Sequence, residues 1–137
     1  MRFDEAVTGF LQRPLHAVLA TTDSSGSISQ SVVWFHLDDT NPDQMTVWIS
    51  CAPTSAKARH VAQNPAVSLL VLAPHGGSYV RVHGRATTHE RVTDADRLTL
   101  AAPYHGSEAE LWLSEHPLPE PNVLLRIHPE RVVQRGL

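Results

Sequence analysis

The chain is poor in several things, and each shortage excludes a class. It has one cysteine, Cys51, so no internal disulfide can staple it. No apolar run approaches the roughly 18 residues of a membrane-spanning helix. The N-terminal stretch "MRFDEAVTGF" has no apolar core of the kind a secretory signal needs. There is no basic excess: the net charge is −3, and the pI is near 6.3. Nothing therefore argues for a nucleic acid or membrane partner. No Gly-rich phosphate loop is present, and "APHGGS" (73–78) reads as a turn. Histidine is plentiful, at positions 16, 36, 60, 75, 83, 89, 105, 116 and 128, but none forms an HxxxH or HExxH pair. No metal site is expected. These shortages leave a cytoplasmic protein, and 137 residues suit a single domain over 1–137 with a real core.

What is present is mostly strand. Phe3, Val7, Phe10 and Leu11 follow helical spacing, so 3–11 reads as a short amphipathic helix ended by Pro14. "HAVLATT" (16–22) is strand-like, "DSSG" (23–26) a turn, and "ISQSVVWFHL" (28–37) a second strand. After a loop at 38–43, "QMTVWIS" (44–50) is a third. "AVSLLVLA" (66–73) is apolar on both faces and should be central. In "YVRVHGRATT" (79–88), Val80, Val82, Gly84 and Ala86 point one way, and Tyr79, Arg81, His83 and Arg85 the other. A glycine inside such a strand marks a bulge or a close backbone approach. Helices follow at 93–102 and 107–116, then an extended linker at 116–121, then one or two closing strands. The sum is about six strands with short peripheral helices. That favours a small, mainly β barrel over a doubly wound parallel sheet.

One helix start breaks a rule. "PTSAKARHV" (53–61) begins a helix that runs to Asn64, where "NP" stops it. Thr54 or Ser55 can cap it. Helix N-termini carry partial positive charge and prefer acids. The helix at "RFDEAV" has Asp4 and Glu5, "VTDAD" has Asp94 and Asp96 behind Thr93, and "SEAE" offers a capping box of Ser107 and Glu110. The fourth start carries Lys57 instead. Two readings stand: a solvated surface lysine, or an anion site in which amides, a hydroxyl and a lysine meet a phosphate.

Four stretches carry a resemblance. "LATTDSSGSISQSVVWF", "TSAKARHVAQNPAVSLLV", "YVRVHGRAT" and "LLRIHPERVV" occur in order over roughly 16–135. Together they resemble the pyridoxamine 5'-phosphate oxidase-like, FMN-binding split β-barrel family. The chain looks closest to its actinobacterial flavin/deazaflavin oxidoreductases. The resemblance implies a homodimer of Greek-key split barrels with a flavin-type cofactor, coenzyme F-420 or FMN, between them. It maps the cofactor phosphate onto Lys57, supported by Thr54 and Ser55. It rests the ring system on Ser31, Val32 and Val33 of one strand and on Ser50 and Cys51 of another. The implied activity is hydride transfer to or from a small organic substrate, with no catalytic acid or base singled out. The alternatives are a non-enzymatic flavin, deazaflavin or haem binder, and a dimer with a vestigial groove. The sequence departs from the family pattern at Ser55, where deazaflavin relatives carry arginine, and at His60, where asparagine is usual.

Overall fold

The structure is a computed structural model describing residues 1–89 and 92–137. Seven strands form one antiparallel sheet. They are β1 (His16–Thr22), β2 (Ile28–Val33), β3 (His36–Asp38), β4 (Thr46–Cys51), β5 (Ala66–Leu72), β6 (Tyr79–His89) and β7 (Val123–Arg135). The order across the sheet is β2-β1-β5-β6-β7-β4-β3. Its two outermost strands, β2 and β3, are consecutive in the chain and separated only by Trp34 and Phe35. The three steps from Val33 to His36 reach about 10 Å at full extension. The sheet therefore has to curl until its edges meet, which closes the barrel.

This geometry corrects one sequence expectation. The composition of residues 28–37 predicts one strand, yet the segment breaks at Trp34–Phe35. Its first half pairs with β1, its second with β4. No glycine or proline marks the break, because tertiary closure imposes it. The expected single or double ending is one continuous strand, β7, and the split of 28–37 brings the count to seven rather than six. The apolar 66–72 strand lies inside the sheet, between β1 and β6.

Alternation builds the core. Ala17, Leu19, Val47, Ile49, Leu69, Val71, Val80, Val82, Leu125 and Ile127 all point inward and are essentially inaccessible. Fully burying a side chain of this kind contributes about 1.5–3 kcal/mol. The helix α1 (Glu5–Leu11), capped by Asp4, adds Val7, Phe10 and Leu11 to the same core, and Phe3 just before it joins them. In β6 the register shifts between His83 and Gly84, and a side-chain carbon at Gly84 would run into the His128 carbonyl oxygen of β7. The glycine is there because two backbones need its space.

The peripheral helices are α2 (Ala56–Gln63), α3 (Asp94–His105) and α4 (Ala109–Glu115). Thr93 and Asp96 form a reciprocal capping box on α3. The expected box of Ser107 and Glu110 is absent from α4, whose N-cap is Glu108 and makes no side-chain cap. A capping residue needs extended backbone, and Ser107 lies inside a 3-10 turn, Gly106–Glu108, that joins α3 to α4. The break from α3 comes at Gly106, which has φ of 57°.

The half-buried imidazole of His36 on β3 meets Trp48 edge-on at 5.1 Å. Burial holds its pKa below the ordinary value, against the pull of Asp38 and Asp39. The folded state therefore binds fewer protons than the unfolded chain near the unfolded value of about 6.5. This contribution to stability is complete above that pH and declines as pH falls through it toward the lower folded value. The melting temperature should fall between pH 7.5 and 5.5, and His36→Phe, which keeps the ring packing, should flatten part of that fall. An identical pH profile in the variant would remove His36 from the account.

Candidate functional site

A cleft of about 720 Å³ opens where the bent β2–β3 segment, the end of β4, the start of α2 and the α3–α4 hairpin meet. Val32, Val33 and Trp34 come from the bend, and Ser50, Cys51 and Ala52 from the end of β4 and just beyond. Ser55 and Lys57 come from the α2 start. Arg97, Leu100 and Ala101 of α3, with Trp112 and Leu113 of α4, form the opposite wall. His116, Pro117, Leu118 and Asn122 follow α4, and His16 of β1 completes the lining. Its volume falls in the usual range for small-molecule sites, about 300–1,000 Å³.

The α2 end of the cleft gathers hydrogen-bond donors and positive charge. Ser55, not Thr54, is the cap: its hydroxyl accepts from the Ala58 N–H at 3.3 Å. The amides of Ala56 and Lys57 in the same first turn keep no intrahelical partner. No acid occupies this turn. Lys57 is the chain's sole lysine, and it stands where the helix dipole disfavours a cation. None of the lining residues is a carboxylate, while two, Lys57 and Arg97, are basic.

The far wall is aromatic. Trp34 stacks on Tyr104 at 4.9 Å and meets Trp112 at 5.1 Å. Trp112 in turn stacks with His105 at 4.6 Å and His116 at 4.2 Å. The Tyr104 hydroxyl donates to the Leu15 carbonyl at 3.0 Å and accepts from the Phe35 N–H at 3.3 Å. Burial raises its pKa, partly offset by the Phe35 bond. It thus fastens α3 to the bend at Phe35 and to the start of β1 at Leu15 as a neutral phenol. At the β4 end, the Asn122 amide donates to the Ser50 hydroxyl at 2.9 Å.

Cys51 lines the cleft but is not poised as a nucleophile. Burial raises its pKa, outweighing the Ser55 hydrogen bond and the Lys57 charge that lower it. A thiol held protonated is a poor nucleophile. His60 has a structural role: its Nδ1 shares a 3.0 Å hydrogen bond with the buried Thr21 hydroxyl, tying α2 to β1. A buried hydroxyl needs such a partner.

Of the residues expected at the site, Lys57, Ser55, Ser50, Cys51, Val32 and Val33 line this one cleft. Thr54 and Ser31 do not. Thr54 precedes the cap, and Ser31 sits mid-strand opposite Leu19, away from the strand end where the cleft opens. Sequence reasoning missed Arg97, Trp112, His116 and Asn122. Only the placement of the helical hairpin brings them in. Among the described residues, no three of His, Cys, Asp or Glu converge as a metal site. None of the helices described is long and apolar enough to cross a membrane.

A seven-stranded antiparallel sheet curled shut through one bent segment defines a split β-barrel. Residues 3–136 match the pyridoxamine 5'-phosphate oxidase family, and the chain belongs to that family. An F-420 reductase is similar in structure, with a TM-score of 0.74 at 25% identity, covering 96% of this chain and 98% of that one. A conserved hypothetical protein of Mycobacterium tuberculosis gives 0.73 at 20% identity, covering 97% and 84%. HutZ, the haem storage protein of Vibrio cholerae, gives 0.70 at 19% identity, covering 99% and 96%. The last two likenesses show the fold alone.

Proposed function

We propose that this chain is an oxidoreductase that holds coenzyme F-420 or FMN in the cleft and serves hydride transfer to or from a small organic substrate. One observation carries the reading. A lysine on the wrong end of a helix and that helix's open amides share a carboxylate-free cleft with tryptophan and leucine side chains. Phosphate chemistry suits the first part, and a planar ring system suits the second. Membership of the family and the likeness to an F-420 reductase support the same reading.

The bound cofactor supplies the redox chemistry. The chain's residues bind and orient. Lys57, with the Ala56 and Lys57 amides, anchors a phosphate, and the Ser55 hydroxyl holds that turn in shape. Val32 and Val33 with Ser50 and Cys51 bracket the ring. Trp34 and Trp112 keep water from the far wall.

A homodimer belongs to this reading. Ile28 and Val32 on β2 are 73% and 70% exposed, and Val32 stands at the mouth of the cleft. Large apolar side chains so open favour burial against a second copy. The face formed by β6 and β7 carries Arg81, Arg85 and Arg131. Seated against the cleft of a partner, it would add positive charge for the anionic tail of the cofactor.

The test is a fluorescence titration of purified protein with F-420 and with FMN, followed by turnover assays with the one that binds. Saturable binding of one is expected. Binding of neither would overturn the proposal, and binding without any turnover would leave a carrier rather than an enzyme.

A further inference from the structure

Arg97 is not needed for the phosphate end of the cleft, and its surroundings are unusual for a surface arginine. It lies on α3, half-buried, with Asp94 one turn earlier and Glu110 across the hairpin. Among the described residues it pairs with neither, and the sole ion pair found there joins Arg2 to Asp43. Its guanidinium instead donates to the His116 carbonyl at 3.0 Å. That acceptor is itself fixed. The His116 ring donates from Nδ1 to the Trp112 carbonyl at 2.8 Å and stacks on the Trp112 ring. A guanidinium has five N–H donors in a rigid fork, and one bond leaves most of them free on a cation that lines the cleft.

We propose that Arg97 is a second anion-recognition point, separate from Lys57, and that it takes the carboxylate of an aromatic acid lying along the Trp112 wall. This deepens the reading of the cleft as a ligand site and rests on it. The fork geometry selects a planar, bidentate anion, which a carboxylate is. The neighbouring lining, Trp34, Trp112 and Leu113, selects an apolar or aromatic body. The carbonyl of His116 holds the guanidinium before any ligand arrives, so little side-chain freedom is lost on binding. The same chemistry could come from an acidic group on the cofactor itself, and the experiment separates the two sources.

The probes are 2-naphthoate and its uncharged amide, titrated into the unmodified protein, Arg97→Met, Arg97→Lys and Lys57→Ala. Quenching of tryptophan emission is the readout. Naphthoate should bind the unmodified protein at least about tenfold more tightly than the amide, as a charge-assisted bidentate contact predicts. Arg97→Met should abolish that preference with amide affinity unchanged, Arg97→Lys should recover part of it, and Lys57→Ala should leave it intact. Equal affinity for the two probes, or no naphthoate binding at all, would overturn the inference. F-420 and FMN are titrated into Arg97→Met in parallel. If cofactor affinity falls while naphthoate preference stays, the anion belongs to the cofactor and the substrate assignment is overturned. If neither cofactor binds any variant but the naphthoate preference follows Arg97, this site stands and the cofactor proposal fails.

Discussion

Replacing Lys57 by alanine should weaken binding of F-420 or FMN by about ten- to a hundredfold and at the same time make the unliganded protein slightly more stable. The two effects have opposite signs because they arise from different states. In the complex, a lysine–phosphate contact is a charge-assisted bond worth about 1.5–3 kcal/mol. Every 1.4 kcal/mol is about a tenfold change in affinity. In the free protein the same ammonium faces the positive end of α2, which has no acid in its first turn to offset it. Removing a cation from there returns about 0.3–1 kcal/mol. Alanine is also the better helix former. A titration paired with a thermal melt reads both quantities. Unchanged affinity would return Lys57 to the solvated surface, and a marked loss of stability would mean that it serves the fold.

Gly84→Ala should destabilise the protein by about 3 kcal/mol, toward the upper end of what overpacking usually costs. The added carbon meets the backbone of His128 and Pro129 on β7, not a side chain able to swing aside. Both strands are held in their ladder by neighbours on each side: β5 pairs β6, and β4 pairs β7. The bulge beside Gly84 is already the accommodation that lets the two backbones come so close. A urea denaturation series should show a lower midpoint with an unchanged slope, the signature of lost stability rather than altered compactness. An unchanged midpoint would mean that β7 gives way at His128–Pro129 at little cost.

Gly84 is also one of the most legible positions in the sequence. Its neighbours alternate cleanly, and a glycine interrupting that alternation points to a bulge or a close approach of two backbones. Lys57 is legible for the same kind of reason, as a local choice that contradicts a local rule. The break at Trp34–Phe35 is not. Val33, Trp34, Phe35 and His36 suit a strand, and only the pairing of the two halves with different partners divides them. The far wall of the cleft is equally hidden. Arg97 and Trp112 sit on short helices whose periodicity would suit any peripheral helix. Which face looks into a cleft depends on the turn at Gly106–Glu108, where the sequence suggests a fresh helix cap instead.

The bend between β2 and β3 has a double duty. It is the latch of the barrel, the two-residue hasp that holds the first and last strands of the sheet together. It is also a wall of the cleft, through Val32, Val33 and Trp34. A ligand seated against those residues, and bound only by the folded chain, would add its binding free energy to the stability of the closed barrel by mass action.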